Sequence, residues 1–255
     1  MSKFDDANFF QQYLELRKKP NSYNDLLEQP AIKSLLPDVK CKAVLDLGCG
    51  FGGNCLDFVK MGAVEVLGID ISQKMLELAA KENAHDRIKY RLMAMEEINA
   101  ITTTYDLVFS SLAIHYAADF PKLVRDVHNL LNPGGVFLFS QEHPLCTAPI
   151  AGPQWLKGKN GTKIAGYVSD YLDSGQRRIK WLDEEIVKYH RCFSDIVNVL
   201  TGNRFVLEKI IEPKPTAEVL AAAAHMYDEI HRPTAIVFKA VKPKVVSCQS
   251  NLKEH

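Results

Sequence analysis

No apolar run in this chain approaches the ~20 residues that a membrane-spanning helix needs, so none is expected. Nor is there an excess of charge. Thirty-one basic residues balance 31 acidic ones, which gives no support to a protein that wraps a nucleic acid duplex or lies on an anionic membrane. The start, Met1-Ser-Lys-Phe-Asp-Asp6, lacks the apolar segment of a secretory signal, and a cytoplasmic location is expected. The six cysteines, at positions 41, 49, 55, 146, 192 and 248, form no Cys-x-x-Cys pair and no zinc spacing. Free thiols in a reducing compartment are therefore expected, rather than a disulfide framework or a structural metal. Internal repeats and low-complexity segments are also lacking.

What is present is ordinary for a globular chain: 255 residues, 47% hydrophobic and 24% charged, enough for one large α/β domain or one domain with a cap. Phe9, Phe10, Tyr13, Leu14 and Leu16 recur at helical spacing over residues 7–19, and Pro20 ends the run. A short helix is expected over 26–36. Segments at 44–46, 66–70, 88–92, 105–110 and 136–140 read as strands, with helices at 55–61, 73–83 and 121–131 between them. Ser72 fits the N-cap of the second of these. Strand–helix alternation implies a parallel sheet covered on both faces. Prolines, glycines and aromatics crowd residues 142–204, and a structureless loop of that length is unusual. A cap is expected there, with a helix near 189–200. Strands at 205–211 and 234–241 flank a helix at 216–230, and the tail, 242–255, is expected to be disordered.

The segment Val44-Leu-Asp-Leu-Gly-Cys-Gly-Phe-Gly-Gly53 reads as a buried strand entering a glycine turn and a helix. Gly48, Gly50 and Gly53 have the dinucleotide-binding spacing. Asp46, at the strand end, suits a ligand that carries ammonium and sulfonium charges better than a pyrophosphate. Asp70 ends the second strand about 20 residues on, where an acid can accept two hydroxyls of a ribose. Ile71 would lie against the adenine.

Together with VLGIDIS (66–72), YDLVFSSLAIHY (105–116) and LLNPGGVFLFS (130–140), this segment resembles the ordered motifs of class I S-adenosylmethionine-dependent methyltransferases, most closely the small-molecule branch called methyltransferase type 11. The resemblance covers residues 40–141 and loosens outside them. It implies a Rossmann-like, seven-stranded, mostly parallel sheet with helices on both faces and a cap insertion between strands five and six. Residues 1–39 would form an N-terminal helical cover, 40–141 the cofactor-binding core, 142–204 the cap and a helix, and 205–241 the strands completing the sheet. It further implies that Asp46, Gly48, Cys49 and Gly50 hold the methionine part of S-adenosylmethionine, that Asp70 holds the ribose, and that Met95 lines the adenine. Many members have an acid at position 94. Ala94 stands there in this chain, so the adenine amino group is left to Glu96 or a backbone carbonyl. Ser110 would border the methionine portion.

Outside the motifs, Tyr13 and Arg17 lie one helical turn apart, and Arg17 can pair with the methionine carboxylate or stand solvated. His115 follows strand four at the ligand edge of the sheet, where it can accept a proton from the acceptor or simply pack beneath the cofactor. Tyr116, His143 and His190 are candidate acceptor contacts. His143 can act in proton transfer or shaping of the site, or can anchor the cap beside Glu142, and His190 with Arg191 can point inward or outward from a helix. No compact Asp/Asn cluster follows strand four, so a metal is not expected. Residues 110–113, Ser-Ser-Leu-Ala, lack the Asn/Asp-Pro-Pro-aromatic motif of enzymes that methylate nucleic-acid amino groups. The expected reaction is in-line methyl transfer to an oxygen or nitrogen atom of a small molecule, in which the protein mainly orients the reactants and excludes water. A NAD-dependent oxidoreductase and a non-catalytic cofactor-binding subunit are the alternatives. Oligomeric state is left open.

Overall fold

The computed structural model describes residues 2–244. Helix α1 (Ala7–Lys18) starts where the Asp6 side chain accepts from the N–H groups of Asn8 and Phe9. A π-helical turn, Asn24–Glu28, leads into α2 (Gln29–Ser34), so the helix expected over 26–36 is two short pieces. Then come β1 (Ala43–Leu47), α3 (Gly53–Lys60), β2 (Glu65–Asp70), α4 (Gln73–Glu82), β3 (Ile88–Leu92), β4 (Tyr105–Ser110), α5 (Phe120–Leu130) and β5 (Leu131–Glu142). Ser72 caps α4 as expected, its hydroxyl accepting from Met75 N–H.

Past β5 the chain leaves the main sheet. It forms α6 (Pro144–Thr147), the hairpin β6 (Gln154–Lys157) with β7 (Lys163–Tyr167), and the hairpin β8 (Gly175–Trp181) with β9 (Glu184–His190). Helix α7 (Phe193–Gly202) returns it to β10 (Val206–Ile211), followed by α8 (Ala217–Ala222), α9 (Asp228–His231) and β11 (Ala235–Val241). The helix expected near 189–200 is therefore corrected: His190 ends a strand, and the helix begins at Phe193. The helix expected over 216–230 is α8, a 3-10 turn and α9. The tail expected from 242 is packed at its start, where Lys242 Nζ donates to the carbonyls of His128 and Leu131. The rest of that expectation, from 245, lies outside the described residues.

The seven-stranded sheet has the order β10-β11-β5-β4-β1-β2-β3. Strands β1 to β5 are mutually parallel, while β11 runs antiparallel to both β5 and β10. Alternate residues of each central strand enter opposite cores. Leu45, Leu47, Phe137 and Phe139 pack beneath α5 and α7, while Val44, Leu107, Phe109 and Leu138 meet the face that holds Phe58 of α3 and Ile32 of α2. The order reverses between β1 and β4, and the crevice outside the carboxyl ends of these strands is where open α/β sheets take ligands.

Candidate functional site

The glycine turn follows β1 because the chain must reverse there in a conformation most side chains avoid. Gly48 (φ 69°) and Gly50 (φ 54°) are left-handed, and so is Gly52 (φ 81°), the residue that opens α3. The N–H groups of Gly48 and Cys49 both donate to the Ile69 carbonyl at 2.9 Å, fixing the turn to the end of β2. A Cβ on Gly48 would lie 2.5 Å from that of Ala113, and one on Gly52 would lie 2.2 Å from the Tyr90 hydroxyl. A Cβ on Gly50 would meet nothing within 4 Å, so here the backbone borders open space. The sequence pattern pointed to Gly53 as its third glycine. Gly52 is the one whose geometry and surroundings require glycine.

Two carboxylates flank this turn. Asp46 is buried and has one weak partner among the described residues, the Cys55 thiol at 3.4 Å. Burial lifts its carboxyl to about 7, and the nearby charge of Asp70 adds to the rise. Asp70 accepts from Gly50 N–H and Ser72 N–H, both at 2.9 Å, and burial raises it against those two bonds. Ile71 beside it is exposed. Asp5 was missed from the sequence. Its Oδ1 accepts from Ser72 Oγ (2.8 Å) and Lys74 N–H (3.1 Å), pinning the start of the chain beside Asp70.

Helix α1 lies over the turn. The Arg17 guanidinium is 5.9 Å from the Phe51 ring centroid, and its Nε is buried without a hydrogen-bond partner among the described residues. Tyr13 packs edge-on to Phe4 (5.5 Å) and Trp181 (6.0 Å). Burial raises its phenol; Arg17 acts to lower it and Asp70 to raise it. Met95 begins a 3-10 turn, with its Cε 3.8 Å from where a Gly48 Cβ would stand. Glu96 accepts from Ala118 N–H at 3.1 Å, which ties one of its oxygens to the loop before α5. Ser110 is buried and donates to the Leu47 carbonyl at 2.8 Å, so its hydroxyl joins the tips of β4 and β1.

The histidines are more engaged than the sequence indicated. His115 is buried, and its Nδ1 accepts from Glu142 N–H at 3.2 Å, which leaves the proton on Nε2, 3.9 Å from Glu142 Oε1. Burial holds its pKa near 3, with Glu142 raising it and Lys188 and Arg191 lowering it. A neutral ring with its lone pair already used does not fit the proton-acceptor role expected of it. His143 is the N-cap of α6. Its Nδ1 accepts from Leu145 N–H (3.1 Å), and Nε2 pairs with Glu212 (2.8 Å), which matches an anchoring role. His190 Nδ1 meets Thr147 Oγ1 (2.8 Å) and Nε2 meets the Tyr171 carbonyl (2.9 Å). Neither His143 nor His190 has a ring nitrogen left for an acceptor.

Two buried polar clusters had no strong sequence signal. Glu28 is fully buried and accepts from Ser140 Oγ (2.5 Å), Ser111 Oγ (2.9 Å) and Gln29 Nε2 (2.9 Å). Burial raises its carboxyl against these bonds. Second, Lys188 of β9 pairs with Glu142 of β5, with its Nζ over the rings of Trp181 (5.5 Å) and Tyr116 (5.8 Å). Burial raises the Glu142 carboxyl, but the Lys188 ammonium paired with it acts to hold it below its ordinary value. Among the described residues, no group of three His, Cys, Asp or Glu stands where it could hold a metal ion, and no helix is long and apolar enough to cross a membrane.

A buried carboxylate short of donors, a second acid at the next strand tip, an unpartnered guanidinium Nε and an open backbone strip between them suit a ligand with cationic, anionic and diol groups. The comparisons with known proteins agree. The family profile Methyltransf_11, described as a methyltransferase domain, matches residues 45–139. An uncharacterized protein of Haemophilus influenzae is 35% identical over 252 residues, 95% of this chain and 97% of its own length. An S-adenosylmethionine-dependent methyltransferase from Mesorhizobium loti, known as a crystal structure, is 36% identical and superposes with a TM-score of 0.79, covering 84% of this chain and 97% of that one. The malonyl-acyl-carrier-protein O-methyltransferase of Enterobacter lignolyticus is 31% identical over 134 residues; these are 52% of this chain and about half (49%) of that relative. The fold, the site and these similarities together make the chain a member of the class I S-adenosylmethionine-dependent methyltransferases.

Proposed function

We propose that this methyltransferase acts on an oxygen or nitrogen atom of a small molecule enclosed between the core, α1 and the β8–β9 hairpin, which serves as a cap. The observation that carries this reading is the half-buried cluster of Tyr13, Tyr116 and Trp181 beside the Lys188–Glu142 pair, contributed by all three parts of the chain. The formal neutrality of the chain supports a small acceptor over a polyanion. A relative that methylates oxygen supports the choice of atom.

The residues present fit the cofactor. Asp46 lies in the crevice as a buried carboxylate whose one donor among the described residues is a thiol, which a cationic ligand would compensate. Asp70 would hold the ribose, Arg17 the methionine carboxylate, and the backbone at Gly50 would border the ligand. When bound, the cofactor supplies a methyl group on a cationic sulfur. The chain's own contribution is orientation and the exclusion of water by α1 and the aromatic cluster. Calorimetric titration with S-adenosylhomocysteine and with NAD tests the site, and only the former is expected to bind. Transfer of labelled methyl to fractionated cell extract tests the acceptor. Label found solely in nucleic acid or protein would overturn the small-molecule reading.

A further inference from the structure

We propose that Lys188 holds an anionic oxygen of the acceptor, so that the substrate is a small molecule arriving already deprotonated, such as a carboxylate or an acidic phenol. This rests on the methyl-transfer reading above and narrows it.

Lys188 lies on the inward face of β9 with Ile186 and His190, and its side chain is 7% exposed. An ammonium has three N–H donors. Its one side-chain partner among the described residues is Glu142 Oε1. Its other near neighbours are the rings of Tyr116 and Trp181, over whose faces the ammonium lies at 5.8 and 5.5 Å and which attract a cation weakly. A buried ammonium with unspent donors is costly to leave so and is completed by an oxygen anion. The place is joined to the cofactor crevice. Tyr13 lies near enough to Asp70 and Arg17 to feel both charges, and Tyr116 near enough to Tyr13 and Glu142. Phe4 touches both tyrosine rings.

The surroundings also select against other acceptors. The groups that face Lys188 are Glu142 from β5, His115 and Tyr116 from the turn after β4, and Trp181 from β8. Arg191, whose Nη2 donates to the Ala117 carbonyl, stands beside them. An acceptor ammonium would meet Lys188 and Arg191, and the Glu142 carboxylate is already paired with Lys188. A neutral alcohol would need a base, and the nitrogens of His115, His143 and His190 are spent. An oxygen anion needs none. Its lone pair forms the new O–C bond to the methyl carbon as the S–C bond breaks, and the bonding pair leaves on the sulfur of S-adenosylhomocysteine. The sulfonium and oxyanion charges cancel, and no proton is taken up or released.

The test uses the full chain loaded with S-adenosylhomocysteine, with benzoate, 4-nitrophenolate and benzylamine as probes, read by calorimetry and thermal shift. At least one of the two anions is expected to bind and benzylamine is not. Lys188→Met should weaken anion binding by about tenfold or more, and Lys188→Arg should restore most of it. Each variant is titrated first with S-adenosylhomocysteine, and Lys188→Gln replaces Lys188→Met if the latter loses that affinity. Binding of benzylamine, failure of both anions to bind, or anion binding that is indifferent to the loss of charge at position 188 would overturn the proposal. Failure of S-adenosylhomocysteine to bind the unaltered protein would instead overturn the cofactor reading, and the first titration shows which has failed.

Discussion

Asp46 and His115 are both buried ionisable groups, and their burial acts on stability in opposite directions. The Asp46 carboxyl is raised from 3.8 to about 7, so the folded chain holds this proton more tightly than the unfolded chain does. Its contribution to stability is full below the unfolded value and is lost as pH rises through the folded one, at a cost on the order of 2–4 kcal/mol. Without cofactor, Asp46→Asn should therefore gain on the unaltered protein between pH 5 and pH 8, while binding S-adenosylhomocysteine more weakly. Urea unfolding at the two pH values checks this, and a constant difference between the proteins would refute it. His115 is lowered from 6.5 to about 3, so its contribution is full above 6.5 and is lost as pH falls toward 3. It stays neutral throughout the working range. His115→Asn, whose amide oxygen can still accept from Glu142 N–H, should leave the shape of the pH–rate profile unchanged from pH 6 to 9. Loss of an inflection in that variant would restore the base role.

At the scale of elements, the β8–β9 hairpin and α1 hold one another. Trp181, the last residue of β8, packs edge-on to Phe9 (5.6 Å) and Tyr13 (6.0 Å), and Lys3 pairs with Glu184 at 2.9 Å. Phe9 is the one fully buried residue of α1. Trp181→Ala should cost about 2 kcal/mol and raise hydrogen exchange in residues 7–18, leaving β1 and β4 protected. Exchange unchanged in α1 would show that the helix holds its place without the hairpin. The central strands β1, β2, β4 and β5 were legible because each contains a short apolar run between breakers. β5 proved longer because the turn before it still pairs: Leu131 lies opposite Tyr105, and Gly134 N–H reaches the Lys242 carbonyl. The β8–β9 hairpin was illegible. Its two-residue turn places Leu182 (φ 49°) and Asp183 (φ 61°) in the left-handed region, without the Asn-Gly or Asp-Gly that usually announces such a turn. Tyr189 to Leu200 thus read as helix. Lys188 and Glu28 escaped for a related reason. A lysine in a strand and a glutamate in a helix read as solvated until the fold supplies their neighbours. Asp46 and Asp70 could be placed because strand and turn alone fix where they stand.

Over the whole molecule, the crevice lies where the strand order reverses, but its walls come from Asp5 to Lys188. The sheet buries both its faces beneath helices α2 to α5 and α7, while α1 adds little to either core. Removal of residues 1–19 should therefore leave a cooperative melt, followed by circular dichroism, with S-adenosylhomocysteine affinity reduced by about tenfold or more. A chain that no longer folds would show that α1 belongs to the core.

The placing of β11 also bears on how the enzyme is made. This last strand lies between β5 and β10, and its Ala235 N–H donates to the Tyr23 hydroxyl at 3.1 Å. A chain in synthesis thus has an unfilled sheet edge at β5, and an entrance segment without its anchor, until residues 235–241 have been made. Methyl-transfer competence is expected to arrive only once that strand is in place.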